Sequence, residues 1–175
     1  IHRSLASQRP DAYRADLATS LSNTANHLRD VGQYEQGLTL SREALEIRRS
    51  LASQRPDAYR ADLATSLSNT ANHLRDVGQY EQGLTLSREA LEIRRSLASQ
   101  RPDAYRADLA TSLSNTANHL RDVGQYEQGL TLSREALEIH RSLASQRPDA
   151  YRANLARSLS NTANHLSDVG QYEQG

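Results

Sequence analysis

Lysine, cysteine, methionine, tryptophan and phenylalanine are all missing from this 175-residue sequence. Without cysteine there is no disulfide, no thiol nucleophile and no thiolate metal ligand, although the compartment is left open; an intracellular, cytoplasmic location is the default expectation. All 21 basic residues are arginines, and 21 acidic residues bring the net charge to zero. A neutral chain lacks the general electrostatic attraction that nucleic acid or an anionic membrane would require, so neither is expected as a partner. No apolar run approaches the roughly 18 residues of a membrane span, and neither a signal peptide nor an Asn-x-Ser/Thr sequon is present.

What the sequence has is repetition, which overrides any domain count taken from length. Ile1, Ile47, Ile93 and Ile139 open four near-copies of one 46-residue unit, at 1–46, 47–92, 93–138 and 139–175, the last of them incomplete. Residues 47–92 and 93–138 are identical. Elsewhere the copies differ by His2 and His140 against Arg48 and Arg94, by Asn154 for Asp, by Arg157 for Thr and by Ser167 for Arg. The first copy begins inside a helical pattern and the last stops at a turn, so the chain is expected to be a piece of a longer array.

Within the first copy, Leu17, Leu21, Thr24, Ala25, Leu28 and Val31 follow the spacing of an amphipathic helix with one face toward a core. Pro10 suits its first turn and Gly32 the left-handed residue that ends it, which predicts helix A from about Pro10 or Asp11 to Val31. A second stripe, Tyr34, Leu38, Leu40, Ser41, Ala44, Leu45, Ile47 and Leu51, predicts helix B over about Gln33 to Gln54. The short Gly32 turn forces the two helices antiparallel. A lone pair exposes most of its apolar surface, whereas stacked pairs bury a continuous core. The expectation is an all-α solenoid. Gly37, one turn into helix B, costs up to ~1 kcal/mol relative to Ala and is read as a place where helix A comes close.

The segments Leu21-Ser22-Asn23-Thr24-Ala25-Asn26-His27-Leu28, Val31-Gly32-Gln33-Tyr34, Arg42-Glu43-Ala44-Leu45-Glu46-Ile47 and Arg55-Pro56-Asp57 resemble the tetratricopeptide repeat, in its long version found in kinesin light chains. The resemblance covers every copy and implies a right-handed α-solenoid of antiparallel helix pairs. The unit departs from the usual ~34-residue repeat by an extension of helix A between Pro10 and Leu21. Thr24 and Ser41 stand where the family usually has larger residues, and Gly37 replaces its usual Ala. Tyr13 and Tyr34 are then the only large rings in each unit.

Thr19, Asn23, Asn26 and Asp30 lie opposite the leucine stripe of helix A. The stripe returns as Thr65, Asn69, Asn72 and Asp76, as Thr111, Asn115, Asn118 and Asp122, and as Arg157, Asn161, Asn164 and Asp168. Helix A lines the ligand groove of tetratricopeptide domains, so the resemblance makes these the candidate ligand-binding residues, the asparagines pairing with the backbone of an extended peptide. An amide offers both donors and an acceptor. The same stripe also suits a ladder of asparagines between units or a solvated face.

His27, His73, His119 and His165 recur one unit apart, too far from one another to converge on a metal, and are expected to flank the core stripe and pack against the next unit. Ser22 and His27 point in different directions on the helix, and no phosphate-binding loop is present; no cofactor and no enzymatic activity are expected. Arg48, Arg49 and Arg55 near the end of helix B are read as offsetting its dipole. The function expected is a protein-interaction scaffold binding a protein or peptide, and the resemblance suggests the sensor array of a multidomain signalling NTPase. The alternative is a module that associates weakly end to end, through the residual helix Ile1 to Leu5 and the last helix A.

Overall fold

A computed structural model describes residues 10–172, with side chains from Tyr13 to Gly170. The described residues form seven helices and no strand: α1 Pro10–Asp30, α2 Tyr34–Gln54, α3 Pro56–Asp76, α4 Tyr80–Gln100, α5 Pro102–Asp122, α6 Tyr126–Gln146 and α7 Pro148–Tyr172. Odd-numbered helices are helix A of successive repeats and even-numbered ones helix B. Helix boundaries fall within a residue of those expected for the first copy. The fold is all-α, built from antiparallel helix pairs of the tetratricopeptide-like solenoid class. Residues 1–90 and 91–175 form two compact units, divided within α4.

Each A-to-B turn is made by the glycine. Gly32, Gly78 and Gly124 have φ near +77°, at 78°, 76° and 77°, a conformation that is cheap only without a Cβ. Gln33 N–H then donates to Leu28 O at 2.8 Å and Gly32 N–H to Arg29 O at 3.0 Å. These two bonds are the Schellman closure that satisfies the last carbonyls of α1. At the B-to-A joint, Arg55 takes the extended φ of −138° that a following proline demands, and Pro56 opens α3. The Arg55 guanidinium lies 5.8 Å from the Tyr59 ring centroid, with Arg101 on Tyr105 and Arg147 on Tyr151 alike.

The last glycine behaves differently. The expected turn at Gly170 does not form, and α7 continues through Val169 and Gly170 to Tyr172. Asp-Val-Gly-Gln-Tyr is the same sequence at all four places, so local preference alone does not set the turn.

In the first unit Ala18, Leu21 and Ala44 form a buried cluster flanked by Leu17, Leu40 and Ile47. Leu91, Ala110, Leu113 and Ala136 do the same in the second. Three residues of the predicted stripes lie outside the core in the first copy, Val31, Tyr34 and Thr24. Val31 is 69% exposed, because it caps the helix where the chain turns away, and Tyr34 is exposed at the start of α2. Thr24 is exposed, but its copies Thr70 and Thr116 are fully buried. The hydroxyls of Ser41 and Thr70 are 2.8 Å apart, and those of Ser133 and Thr162 are 3.0 Å apart. A buried hydroxyl pair thus fills the layer where bulkier side chains were missed in the sequence.

His73 and His165 seat against the preceding repeat, which corrects for these two the expectation that they pack against the next one. His73 is 1% exposed and lies at Gly37 of α2, where an added Cβ would sit 3.3 Å from its Nδ1 and 3.0 Å from Ala25 O. His165 and Gly129 repeat the arrangement. Gly37 therefore admits both its own helix A and the next repeat's imidazole. His27 is exposed.

Candidate functional site

Thr19, Asn23 and Asn26 of α1 and Thr65 and Asn69 of α3 line one cleft, together with Ser22, Ser66, Arg48 and Asp62. Its volume is about 160 Å³. Helix periodicity delivers Thr19, Asn23 and Asn26 to one side of α1, and the repeat delivers the equivalent side of α3 beside it. Within each unit, Asn23, Asn26, Asn69 and Asn72, and likewise Asn115, Asn118, Asn161 and Asn164, have side-chain amides that make no hydrogen bond among the described residues. An asparagine ladder is therefore not formed within either unit.

The lower end of the stripe does something else. Asp76 meets Arg29 of the preceding helix A at 2.8 Å, and Asp168 lies 3.8 Å from Arg121. These carboxylates are occupied at the repeat joint and do not line the cleft. Asp30 is exposed, and Asp122 is partly buried.

Four cleft residues escaped the reading of the sequence as a site, Ser22, Ser66, Arg48 and Asp62. Arg48, assigned there to the helix dipole, donates to Asp62 Oδ2 at 2.8 Å and to Thr19 Oγ1 at 2.8 Å. It crosses from helix B to the cleft floor between two A helices. Arg94 and Asp108 form the same ion pair at 2.7 Å. The arginine of one copy and the aspartate fourteen positions on could have been matched by sign, but only stacking shows that the two side chains meet. Arg49 also has a partner in place of the dipole, a two-pronged pair with Glu89 at 2.7 and 2.6 Å.

Burial sets the electrostatics of the buried histidines. Desolvation pushes the His73 pKa below its usual value, and Arg29 pushes the same way against a smaller opposing effect of Asp76. His165 behaves alike, with Arg121 and Asp168 in those roles. His140 is lowered by burial and then by Arg157. These imidazoles are neutral at neutral pH.

A second cleft, of about 490 Å³, lies on the helix-B side of the first unit and is lined by Arg42, Leu45, Arg49, Leu74, Gln82 and Leu86 among others. It is larger and more apolar than the asparagine cleft. Its arginines are engaged, Arg49 with Glu89 and Arg42 with Gln79 at 3.1 Å. Thr70 is among its lining residues.

The tetratricopeptide repeat family model matches residues 17–56, 63–102 and 109–148. The chain belongs to the tetratricopeptide repeat family. Among curated proteins, none matches it in sequence. Among solved structures it is similar to the apo form of RapI, with a TM-score of 0.69 and 18% identity over 91% of this chain and 40% of that one. The chain thus spans less than half of RapI. It is also similar to a Podosopora anserina putative kinesin light chain with nearly identical repeats, with a TM-score of 0.65 and 21% identity over 93% and 74% of the two chains. BtubC (BKLC) from P. vanneervenii follows, with a TM-score of 0.59 and 19% identity over 98% and 80%. These likenesses confirm the kinesin-light-chain-like tetratricopeptide fold. Membership of this family supports a protein-interaction scaffold.

Proposed function

We propose that this tetratricopeptide array binds an extended segment of a partner protein along its helix-A face. The observation that carries the reading is the row of asparagine amides at the cleft with no hydrogen-bond partner among the described residues. An extended peptide has unpaired N–H and C=O groups along its length, and an amide side chain meets both without demanding one sequence. Side-chain identity in the ligand is then read by the residues between the asparagines. No catalytic constellation is part of this reading. The array would serve as the recognition part of a larger intracellular protein, a sensor behind a nucleotide-binding switch domain being the candidate that high internal identity suggests.

The test is binding of peptides on an immobilised array by the intact chain and by its Asn69→Ala/Asn72→Ala/Asn115→Ala/Asn118→Ala variant. Loss of binding with unchanged helicity by circular dichroism is expected. Binding retained by a folded variant would move the ligand to another surface.

A second reading, end-to-end association, draws on one observation. Leu159 and Leu166 of α7 are 45% and 46% exposed, whereas their copies Leu67 and Leu74 are 0% and 2% exposed. In the interior copies that face is covered by a helix B, so another copy of the chain could supply the cover. Ile1 to Leu5, the other half of that contact, lie outside the described residues. Light scattering should show mass rising with concentration, and Leu159→Glu/Leu166→Glu should abolish the rise; a constant monomer mass rejects the reading.

A further inference from the structure

The cleft of the first unit is electrically closed. Arg48 lies between Asp62 and Thr19, with bonds of 2.8 Å to each, so its charge is neutralised inside the fold. Around the corresponding positions of the second unit three residues differ together. His140 stands in place of Arg48, Asn154 in place of Asp62 and Arg157 in place of Thr65. These three positions carry no net charge in the first unit and one positive charge in the second, His140 being neutral. The ion pair has been removed and a cation added on helix A.

The donors there are unused. His140 is 2% exposed, and neither ring nitrogen has a hydrogen-bond partner. The Ser158 hydroxyl, on a residue 2% exposed, has none either. Arg157 is exposed and has no acidic partner among the described residues. It acts on His140 electrostatically from α7. Of the nearby arginines in the sequence and on α5, Arg141 of α6 bonds Glu138 at 2.7 Å and Arg106 of α5 bonds Ser142 at 3.3 Å. A buried polar group without a partner is costly, and His140, Ser158 and the exposed Arg157 occupy the repeat positions that line the first unit's cleft as Arg48, Ser66 and Thr65.

We infer that the second unit's cleft receives a phosphoryl group carried by the bound chain, held by Arg157, by the amides of Asn154 and Asn161 and by Ser158, with His140 taking up a proton as the anion enters. This rests on the helix-A cleft being the ligand face. A phosphoryl group has nearly two negative charges at neutral pH and three acceptor oxygens, which a guanidinium and an imidazolium together match. A carboxylate carries one charge, which Arg157 alone balances, and leaves His140 neutral with its nitrogens unmet. An opposing charge is what allows a buried imidazole beside an arginine to hold a proton.

The test uses the intact chain and follows histidine ring resonances by NMR near neutral pH. Inorganic phosphate and acetate are titrated at matched ionic strength, and the His140 signal is identified by its loss in His140→Gln. Phosphate is expected to move His140 saturably toward the imidazolium position, and acetate is not. Arg157→Thr restores the residue found at Thr65 and Thr111, so the fold is kept, and it should weaken phosphate binding about tenfold or more. The reciprocal change, Arg48→His with Asp62→Asn and Thr65→Arg, should give the first unit a second phosphate-responsive histidine. An equal response to acetate overturns the assignment of a doubly charged ligand. No saturable response, or one indifferent to Arg157→Thr, overturns the site itself. Either result, with peptide binding still lost in the asparagine variant, rejects this inference and leaves the proposed function standing.

Discussion

Arg48 in the first unit and His140 in the second occupy the same place in the repeat, yet one makes two hydrogen bonds of 2.8 Å across its cleft and the other makes none. The interior copies of the core match, Leu67 and Leu113 both at 0% exposure and Leu74 and Leu120 both at 2%, whereas on α7, beside His140, Leu159 and Leu166 are exposed. The exchange is tolerated because Asp62 is half exposed, 51% for its side chain, and ion pairs of that kind contribute only about 0–1 kcal/mol. Stability in this repeat comes from leucine, alanine and the glycine seat, while the groove charge is nearly free to change. The charge on this face can change while the interior leucine packing is kept.

The largest expected effect tests the shared half of that comparison. Leu74→Ala and Leu120→Ala should each cost about 2–5 kcal/mol, by similar amounts, as read from thermal unfolding by circular dichroism. A large inequality would show that the two units do not share one packing. Next come the glycine seats: Gly37→Ala and Gly129→Ala place a Cβ 3.0 Å and 3.1 Å from the Ala25 and Ala117 carbonyls, and each should destabilise by about 1–3 kcal/mol.

Acid should separate the units. His73, His140 and His165 have pKa values lowered by folding, so below the unfolded value of about 6.5 the unfolded chain binds more protons than the folded one. Stability is then full above that pH and falls as the pH drops from there toward the folded pKa values, by up to about 1.4 kcal/mol per pH unit for each histidine. His140 gives the second unit a sensitivity that Arg48 does not give the first. Thermal midpoints at about pH 5 and about pH 7.5 should move less in His140→Arg/Asn154→Asp than in the unaltered chain; equal movement would mean that His140 titrates as freely when folded as when unfolded. The smallest effect belongs to Arg48 and Asp62, whose double-mutant cycle should give a coupling of no more than about 1 kcal/mol.

The helices and their pairing were legible because a stripe of leucines, a proline and a glycine all fall in step with one 46-residue period. Asn23, Asn26 and Asn69 were legible as one face for the same reason. Arg48 was not, since its role depends on two A helices from different repeats flanking one helix B, a distance that periodicity along a single helix does not encode. Val31 was misplaced because a helical wheel continues the stripe to the last residue, where the backbone has already begun to turn. The same Asp-Val-Gly-Gln-Tyr gives a turn at Gly124 and helix at Gly170, so these five residues alone do not decide between them.

Side-chain amide resonances of the intact chain, recorded while a peptide selected from the array is added, test the groove most directly. The NH₂ groups of Asn23, Asn26 and Asn69 should shift together and saturate with the peptide, while Gln82, on the larger helix-B cleft, stays in place. Saturable movement of Gln82 with the three asparagines unmoved would contradict the account.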